Sequence, residues 1–196
     1  MRCFVAVDLS DETRDAIAKA QADLRAAAPR ADVGWIDPAK MHLTLKFLGE
    51  VEEARRDAID TALADVARRH GPFALTAGGA GAFPGPSRPR VLWTGLVGGL
   101  REIGLLAVDV ERACARLGFP LEARPFRGHV TLGRVRSPRG VGRAIRAMDA
   151  LDGAVFGTWT VREVVLYRSH LGGSHGARYE ALGRFGLGGG SAGEDG

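Results

Sequence analysis

Apolar positions along this 196-residue chain switch between a period of two and a period near 3.6, which predicts strands alternating with helices. Phe4-Val5-Ala6-Val7 is a short apolar run opening into Ser10-Asp11-Glu12, a buried strand followed by a helix N-cap at Ser10 or Asp11. Ile17, Ala18, Ala20, Leu24 and Ala28 recur at helical spacing until Pro29. Val33 to Ile36 is a short extended piece, and Met41 to Leu48 a strand ended by Gly49. Glu50 to His70 carries Val51, Ala54, Ala58, Ile59, Ala62, Leu63 and Val66 on one face and reads as an amphipathic helix. Phe73 to Ala77 predicts a strand, Gly78 to Pro89 a Gly/Pro-rich loop and Arg90 to Leu96 a further strand. Leu100 to Leu117 is a second amphipathic helix closed by Gly118, and Leu121 to Phe126 leads into a strand over Gly128 to Val135. Ser137 to Met148 reads as a helix, Phe156 to Tyr167 as strand with a turn inside it, and Tyr179 to Phe185 as a last strand. Residues 187–196 are Gly-rich with acidic residues near the end, the composition of a disordered tail.

One pattern recurs. His42-Leu43-Thr44-Leu45 returns as His129-Val130-Thr131-Leu132 at an offset of 87 residues (129 − 42). At that offset Phe4 to Leu9 falls on Val91 to Leu96, the first helix falls on the segment from Leu100, and Trp35-Ile36 falls on Glu122-Ala123. Each half therefore reads strand, helix, strand, His-x-Thr strand, helix, strand. That predicts an α+β fold built as a bilobal duplicated unit over residues 1–186. Two mainly antiparallel sheets would line a central cleft, one wall from each half, with helices outside.

In a strand, His and Thr of each tetrapeptide point to one face and the apolar residues to the other. Two such strands facing each other bring together two imidazoles and two hydroxyls. An imidazole with a pKa near 6.5 can give or take a proton at neutral pH, so the pair suits general acid–base chemistry on a phosphate ester. Thr44 and Thr131 can donate to nonbridging phosphate oxygens. Lys46 continues the cleft-facing alternation, and Arg134 can neutralise phosphate charge if the strand bulges or ends before it.

Composition changes this picture little. The formal charge of +4 comes almost wholly from arginine, with Lys only at positions 19, 40 and 46, which fits an anionic ligand. Cys3 and Cys114 stand alone, so neither a disulfide framework nor a zinc site is expected. No metal and no cofactor is implied, no Walker loop is present, and no apolar run reaches membrane-span length. The expectation is a cytoplasmic monomer.

The run Met41 to Glu50, together with Gly128 to Val135, resembles the two-histidine phosphoesterase superfamily, and within it the RNA 2′,3′-cyclic phosphodiesterases, also called 2′-5′ RNA ligases. Phe4 to Leu9, Phe83-Pro84, Arg90 to Trp93, Leu166 to Ser169 and Gly176 to Tyr179 fit the same pattern. One departure is Gly128, where relatives usually place Pro before the second motif His. The resemblance implies metal-independent hydrolysis of an RNA terminal 2′,3′-cyclic phosphate to a 2′-phosphate, tRNA-derived ends among the substrates, with reversible 2′-5′ ligation in some relatives. It implies His42 as proton donor and His129 as acceptor, and supports Arg134 as a phosphate ligand. Phe4, Trp93 and Tyr167 could stack on a base, though core packing is the plainer reading of each. His170 and His175 read as exposed loop residues, and His70 as a partner of a helix C-terminus. Two other functions compete: a phosphodiesterase for a small cyclic phosphate such as ADP-ribose cyclic phosphate, and a noncatalytic RNA-end-binding module. A basic stripe leading out of the cleft would favour RNA; a closed pocket would favour the small molecule.

Overall fold

The computed structural model describes residues 1–170, 172 and 177–188. Among these, nine strands and four α-helices follow one another as β1 (Arg2–Val7), α1 (Asp11–Ala27), β2 (Val33–Trp35), β3 (Leu43–Glu50), α2 (Arg56–Arg68), β4 (Phe73–Phe83), β5 (Val91–Gly98), α3 (Leu100–Arg116), β6 (Val130–Val135), α4 (Val141–Met148), β7 (Val155–Val161), β8 (Glu163–His170) and β9 (Arg178–Gly186). All pairings are antiparallel, in the order β7-β4-β5-β6-β3-β1-β8-β9, with β2 on β6. The sheet forms two walls, β3-β1-β8-β9 and β6-β5-β4-β7, joined by the Leu43–Val130 pair of β3 and β6. Both joining residues are fully buried. Helices α2 and α3 pack together behind the first wall, α1 and α4 behind the second.

The duplication extends to strand register. Phe4, Ala6 and Val7 of β1 face Phe47, Thr44 and Leu43 of β3, as Val91, Trp93 and Thr94 of β5 face Arg134, Thr131 and Val130 of β6. One expectation is corrected: neither wall belongs to one half of the chain. The connection over residues 84–90 is short, so β4 and β5 pair as a hairpin across the boundary between the halves. That draws β4 into the second wall, and β8 and β9 fill its place in the first.

The remaining differences have local causes. The helix expected from Glu50 starts as a 3₁₀ turn at Glu53, because Glu50 still belongs to β3 and Val51 N–H donates to Met1 O at 2.7 Å. β4 runs on to Phe83 through a glycine-rich stretch expected to be loop. A Cβ on Gly81 would lie 2.3 Å from the Trp93 ring, so glycine there admits the indole rather than ending the strand. Gly79, with φ +65°, makes the β4 bulge. The segment 121–126 forms no strand, and Pro138 and Gly140 delay α4 to Val141. Leu187 is buried and its N–H donates to Arg162 O at 2.8 Å, so the chain is anchored one residue past β9; the rest of the expected tail, 189–196, lies outside the described residues. Cys3 and Cys114 are buried free thiols, and burial pushes Cys114 up to about 11. No helix among the described residues is long and apolar enough to cross a membrane.

Candidate active site

A cleft of about 510 Å³ lies where the two walls meet, and its lining includes His42, Thr44, Phe47, His129, Thr131 and Arg134. The two histidines are held alike. His42 Nδ1 lies 2.8 Å from Lys40 O and His129 Nδ1 lies 2.7 Å from Arg127 O. A carbonyl only accepts, so each Nδ1 carries the hydrogen and each Nε2 is left to exchange a proton. His42 Nε2 is 3.1 Å from the Thr44 hydroxyl. Gln21, buried in α1, donates to Ile36 O at 2.7 Å and Leu132 O at 2.8 Å, which ties the end of β2 to β6 beside the second motif.

Aromatic rings fix the imidazole planes. Phe4 stacks on His42 at 4.8 Å and Tyr179 meets it edge-on at 5.2 Å. Phe83 meets His129 edge-on at 4.9 Å, with Trp93 at 6.4 Å. Desolvation among these neighbours lowers the pKa of both histidines from the ordinary imidazole value. Backbone hydrogen bonds partly oppose this in both. Arg134 disfavours the protonated form of both rings; Asp8 favours that of His42, whereas Arg127 further disfavours that of His129.

Of the residues expected to meet substrate, the structure brings five to the cleft and takes one away. In β3 the pairing with β1 skips Leu45, a bulge that turns Lys46 toward the helices and Phe47 into the cleft. Lys46 is 2% exposed, with its ammonium 2.8 Å from Glu111 of α3 and 2.5 Å from Pro120 O. Lys46 is therefore not a cleft residue, because strict alternation fails at the bulge. The equivalent bulge in β6 skips Leu132, and it turns Arg134 into the cleft as that residue required.

Four neighbours escaped the sequence reading. Phe47, 56% exposed, is the repeat partner of Arg134, so the 87-residue offset could have found it. Phe83 and Tyr179 approach from strands far away in sequence, and the Arg127 guanidinium lies 5.4 Å from the Phe83 ring centre. Phe4 is buried, yet its ring backs His42. Trp93 is half-buried beside His129, and the Tyr167 hydroxyl donates to Asp8 at 2.8 Å. His70 follows the end of α2, its N–H donating to Ala67 O at 3.2 Å, and its ring pairs with Asp109 of α3 at 2.9 Å; His170 ends β8 with Glu180 at 2.6 Å. His175 lies outside the described residues. At Gly128 a Cβ would meet the Leu96 side chain at 2.6 Å, so Leu96 occupies the space that a larger residue would need.

The chain matches the model of the LigT-like phosphoesterases over residues 7–93 and 98–177. It is 34% identical to an RNA 2′,3′-cyclic phosphodiesterase of Methanothermobacter thermautotrophicus over 171 residues, 87% of this chain and 91% of that protein. Among solved structures, a Thermus thermophilus protein superposes with a TM-score of 0.79 at 29% identity, covering 96% of this chain and 98% of that one. E. coli LigT complexed with 3′-AMP superposes with a TM-score of 0.71 at 31% identity, covering 95% and 97%. With a duplicated register that carries one His-x-Thr strand on each side of a shared cleft, this chain belongs to the LigT-like phosphoesterase family within the two-histidine phosphoesterases.

Proposed function

We propose that the chain hydrolyses the 2′,3′-cyclic phosphate at an RNA end to a 2′-phosphate, without a metal. The observation that carries this is the pair of Nε2 atoms released into one cleft by two Nδ1–carbonyl hydrogen bonds. The curated relative's activity and the E. coli neighbour's 3′-AMP complex support the substrate class. In the reaction His129 Nε2 takes a proton from water as its oxygen attacks phosphorus. The P–O3′ bond breaks, and the protonated Nε2 of His42 delivers a proton to the departing 3′ oxygen. A 2′-phosphate and a free 3′-hydroxyl result, and the protons return through solvent. Asp8, which favours protonation of His42, and Arg127, which disfavours that of His129, support these roles. An RNA 5′-hydroxyl in place of water would give a 2′-5′ linkage by the same transfers.

Thr44, Thr131 and Arg134 face the nonbridging oxygens in this scheme. Arg134→Gln is expected to lower kcat/KM by about 10²–10³-fold, the scale of losing one oriented donor to a developing charge. Arg134→Lys restores only part, since an ammonium lacks the planar fork. Steady-state kinetics on a cyclic-phosphate RNA checks both.

The pH profile follows from the direction of the histidine shifts. Both pKa values are lowered, so both rings are neutral above about 6.5 and gain protons only below it. The productive enzyme holds one proton on the pair. Its fraction, which kcat/KM reports, should peak below about pH 6.5 and fall toward alkaline pH. Bound phosphate favours the protonated form of His42, so the alkaline limb of kcat should lie at higher pH than that of kcat/KM.

The experiment that tests the reading is hydrolysis of an RNA oligonucleotide ending in 2′,3′-cyclic phosphate, in EDTA, with the product end identified. A 2′-phosphate supports it. A 3′-phosphate or a requirement for added metal overturns the mechanism. RNA binding without turnover points to a noncatalytic end-binding module, and turnover of ADP-ribose cyclic phosphate alone to a small-molecule enzyme.

A further inference from the structure

The basic charge of this protein is distributed unevenly. From Ala123 to Met148 the sequence holds seven arginines and no acidic residue, and residues 66–101 contain no acid either. The fold brings parts of these two stretches together outside the cleft. A groove of about 460 Å³ runs between the β4–β5 connection and the start of α4, with Arg88, Arg90 and Arg136 in its lining.

This groove continues from the active site. Val91 and Arg134 pair across β5 and β6 and both line the cleft. One residue further out, Val135 N–H donates to Arg90 O at 2.9 Å, and Arg90, Val135 and Arg136 line the groove. Arg136 directly follows β6, two residues after Arg134, an extended span of about 7 Å. Phe83, whose ring meets His129, accepts the Arg90 N–H through its carbonyl at 2.7 Å and leads into the Arg88 connection.

What marks these arginines is that they lie together along one groove with no counter-charge between them. Arg14, Arg56, Arg68 and Arg184 are all in ion pairs on the protein surface. Among the described residues, Arg88, Arg90, Arg134 and Arg136 have no carboxylate within pairing distance. Asp32, which the β2–β6 end brings nearby, accepts the Ser137 hydroxyl at 2.8 Å. Exposed cations left without counter-charges, ranked along a groove that starts at a phosphate-handling cleft, fit a chain of further phosphates.

Building on the hydrolytic reading above, we propose that the Arg88/Arg90/Arg136 groove binds the sugar–phosphate backbone of single-stranded RNA upstream of its reacting end. The groove therefore selects polynucleotide ends over mononucleotides. Because its contacts are to phosphates, it acts on affinity and not on the chemical step.

The test compares wild type with Arg88→Gln/Arg90→Gln/Arg136→Gln. A control, Arg69→Gln/Arg112→Gln/Arg116→Gln, removes the same charge from the α2–α3 face. Binding of a labelled octanucleotide ending in 2′-phosphate, which cannot turn over, is followed by anisotropy across a salt series. Each lost phosphate contact should lower the slope of log affinity against log salt by about 0.7. The groove variant should thus lose about 2 from the slope and bind at least about tenfold more weakly at low salt. The control should keep the wild-type slope, and the matching Arg→Lys triple should retain most of it. Hydrolysis of cytidine 2′,3′-cyclic phosphate, which has no upstream phosphate, should keep its kcat and KM in the groove variant.

An unchanged slope in the groove variant, or an equal loss in the control, overturns the groove. So does equal wild-type affinity for mononucleotide and octanucleotide, or capture by phosphatidylglycerol vesicles with no RNA binding. Mononucleotide hydrolysis with a salt-insensitive octamer leaves the hydrolytic reading standing and removes the groove. Octamer binding that depends on the three arginines, with no hydrolysis of either substrate, does the reverse.

Discussion

His42→Ala and His129→Ala are each expected to lower kcat/KM on cyclic-phosphate RNA by about 10²–10⁴-fold, the range for a single positioned proton transfer. Melting temperature should change little, because neither imidazole fills the core: each is partly exposed at the cleft, with its Nδ1 bonded to a carbonyl two residues earlier. The double variant should lose less than the product of the two single losses, since the two transfers serve one displacement and act as a unit. The two single variants should differ in pH dependence. His42→Ala removes the acid, so its residual rate should rise with hydroxide. His129→Ala removes the base, so its residual rate should be greater where His42 is protonated. A single variant retaining wild-type kcat/KM would remove that histidine from the chemistry. A loss confined to KM would make it a binding group.

How much of this site was legible in the sequence depended on the range of the interaction that forms it. The two His-x-Thr strands were readable because alternation is a local property and the duplication repeats it at a fixed offset. The helices were readable from one-sided apolar spacing, with Ser10 capping α1 as its side chain accepts from Thr13 N–H at 3.2 Å. Local pattern failed wherever a partner strand decided the outcome. The β4 glycines look like loop until the Trp93 indole is seen filling the space above Gly81. The two bulges are invisible in one strand alone, because they exist only in the register against β1 and β5. The bulge in β6 brought Arg134 to the cleft; its twin in β3 sent Lys46 away and turned Phe47 inward. So the repeat is symmetric in backbone and asymmetric in chemistry, with an arginine on one wall and an aromatic ring on the other.

Lys46→Ala should cost about 3 kcal/mol of stability, the lower end of the range for removing one partner of a buried ion pair. For a protein of this size that lowers the melting temperature by roughly 6–12 °C. The ammonium is held by Glu111 at 2.8 Å and by Pro120 O at 2.5 Å, with Glu122 at 3.9 Å, and all three partners belong to α3 or the segment after it. Its loss would uncouple that segment from β3, and leave Glu111, 21% exposed, bonded to the Glu122 N–H at 2.7 Å with no cation in contact. Lys46→Met/Glu111→Leu should recover much of the deficit, because apolar groups of similar volume often replace a buried pair at little cost. Activity should show the opposite pattern to Arg134→Gln. Lys46→Ala assayed well below its midpoint should keep kcat/KM, whereas Arg134→Gln should keep its melting temperature and lose turnover. Urea and thermal unfolding measured beside steady-state kinetics on the same preparations separates the two. Lost turnover in Lys46→Ala at an unchanged midpoint would return this lysine to the substrate and require the β3 bulge to be dynamic. The contrast exists because one residue inserted into a strand pairing decides whether a cation faces the helices or the cleft.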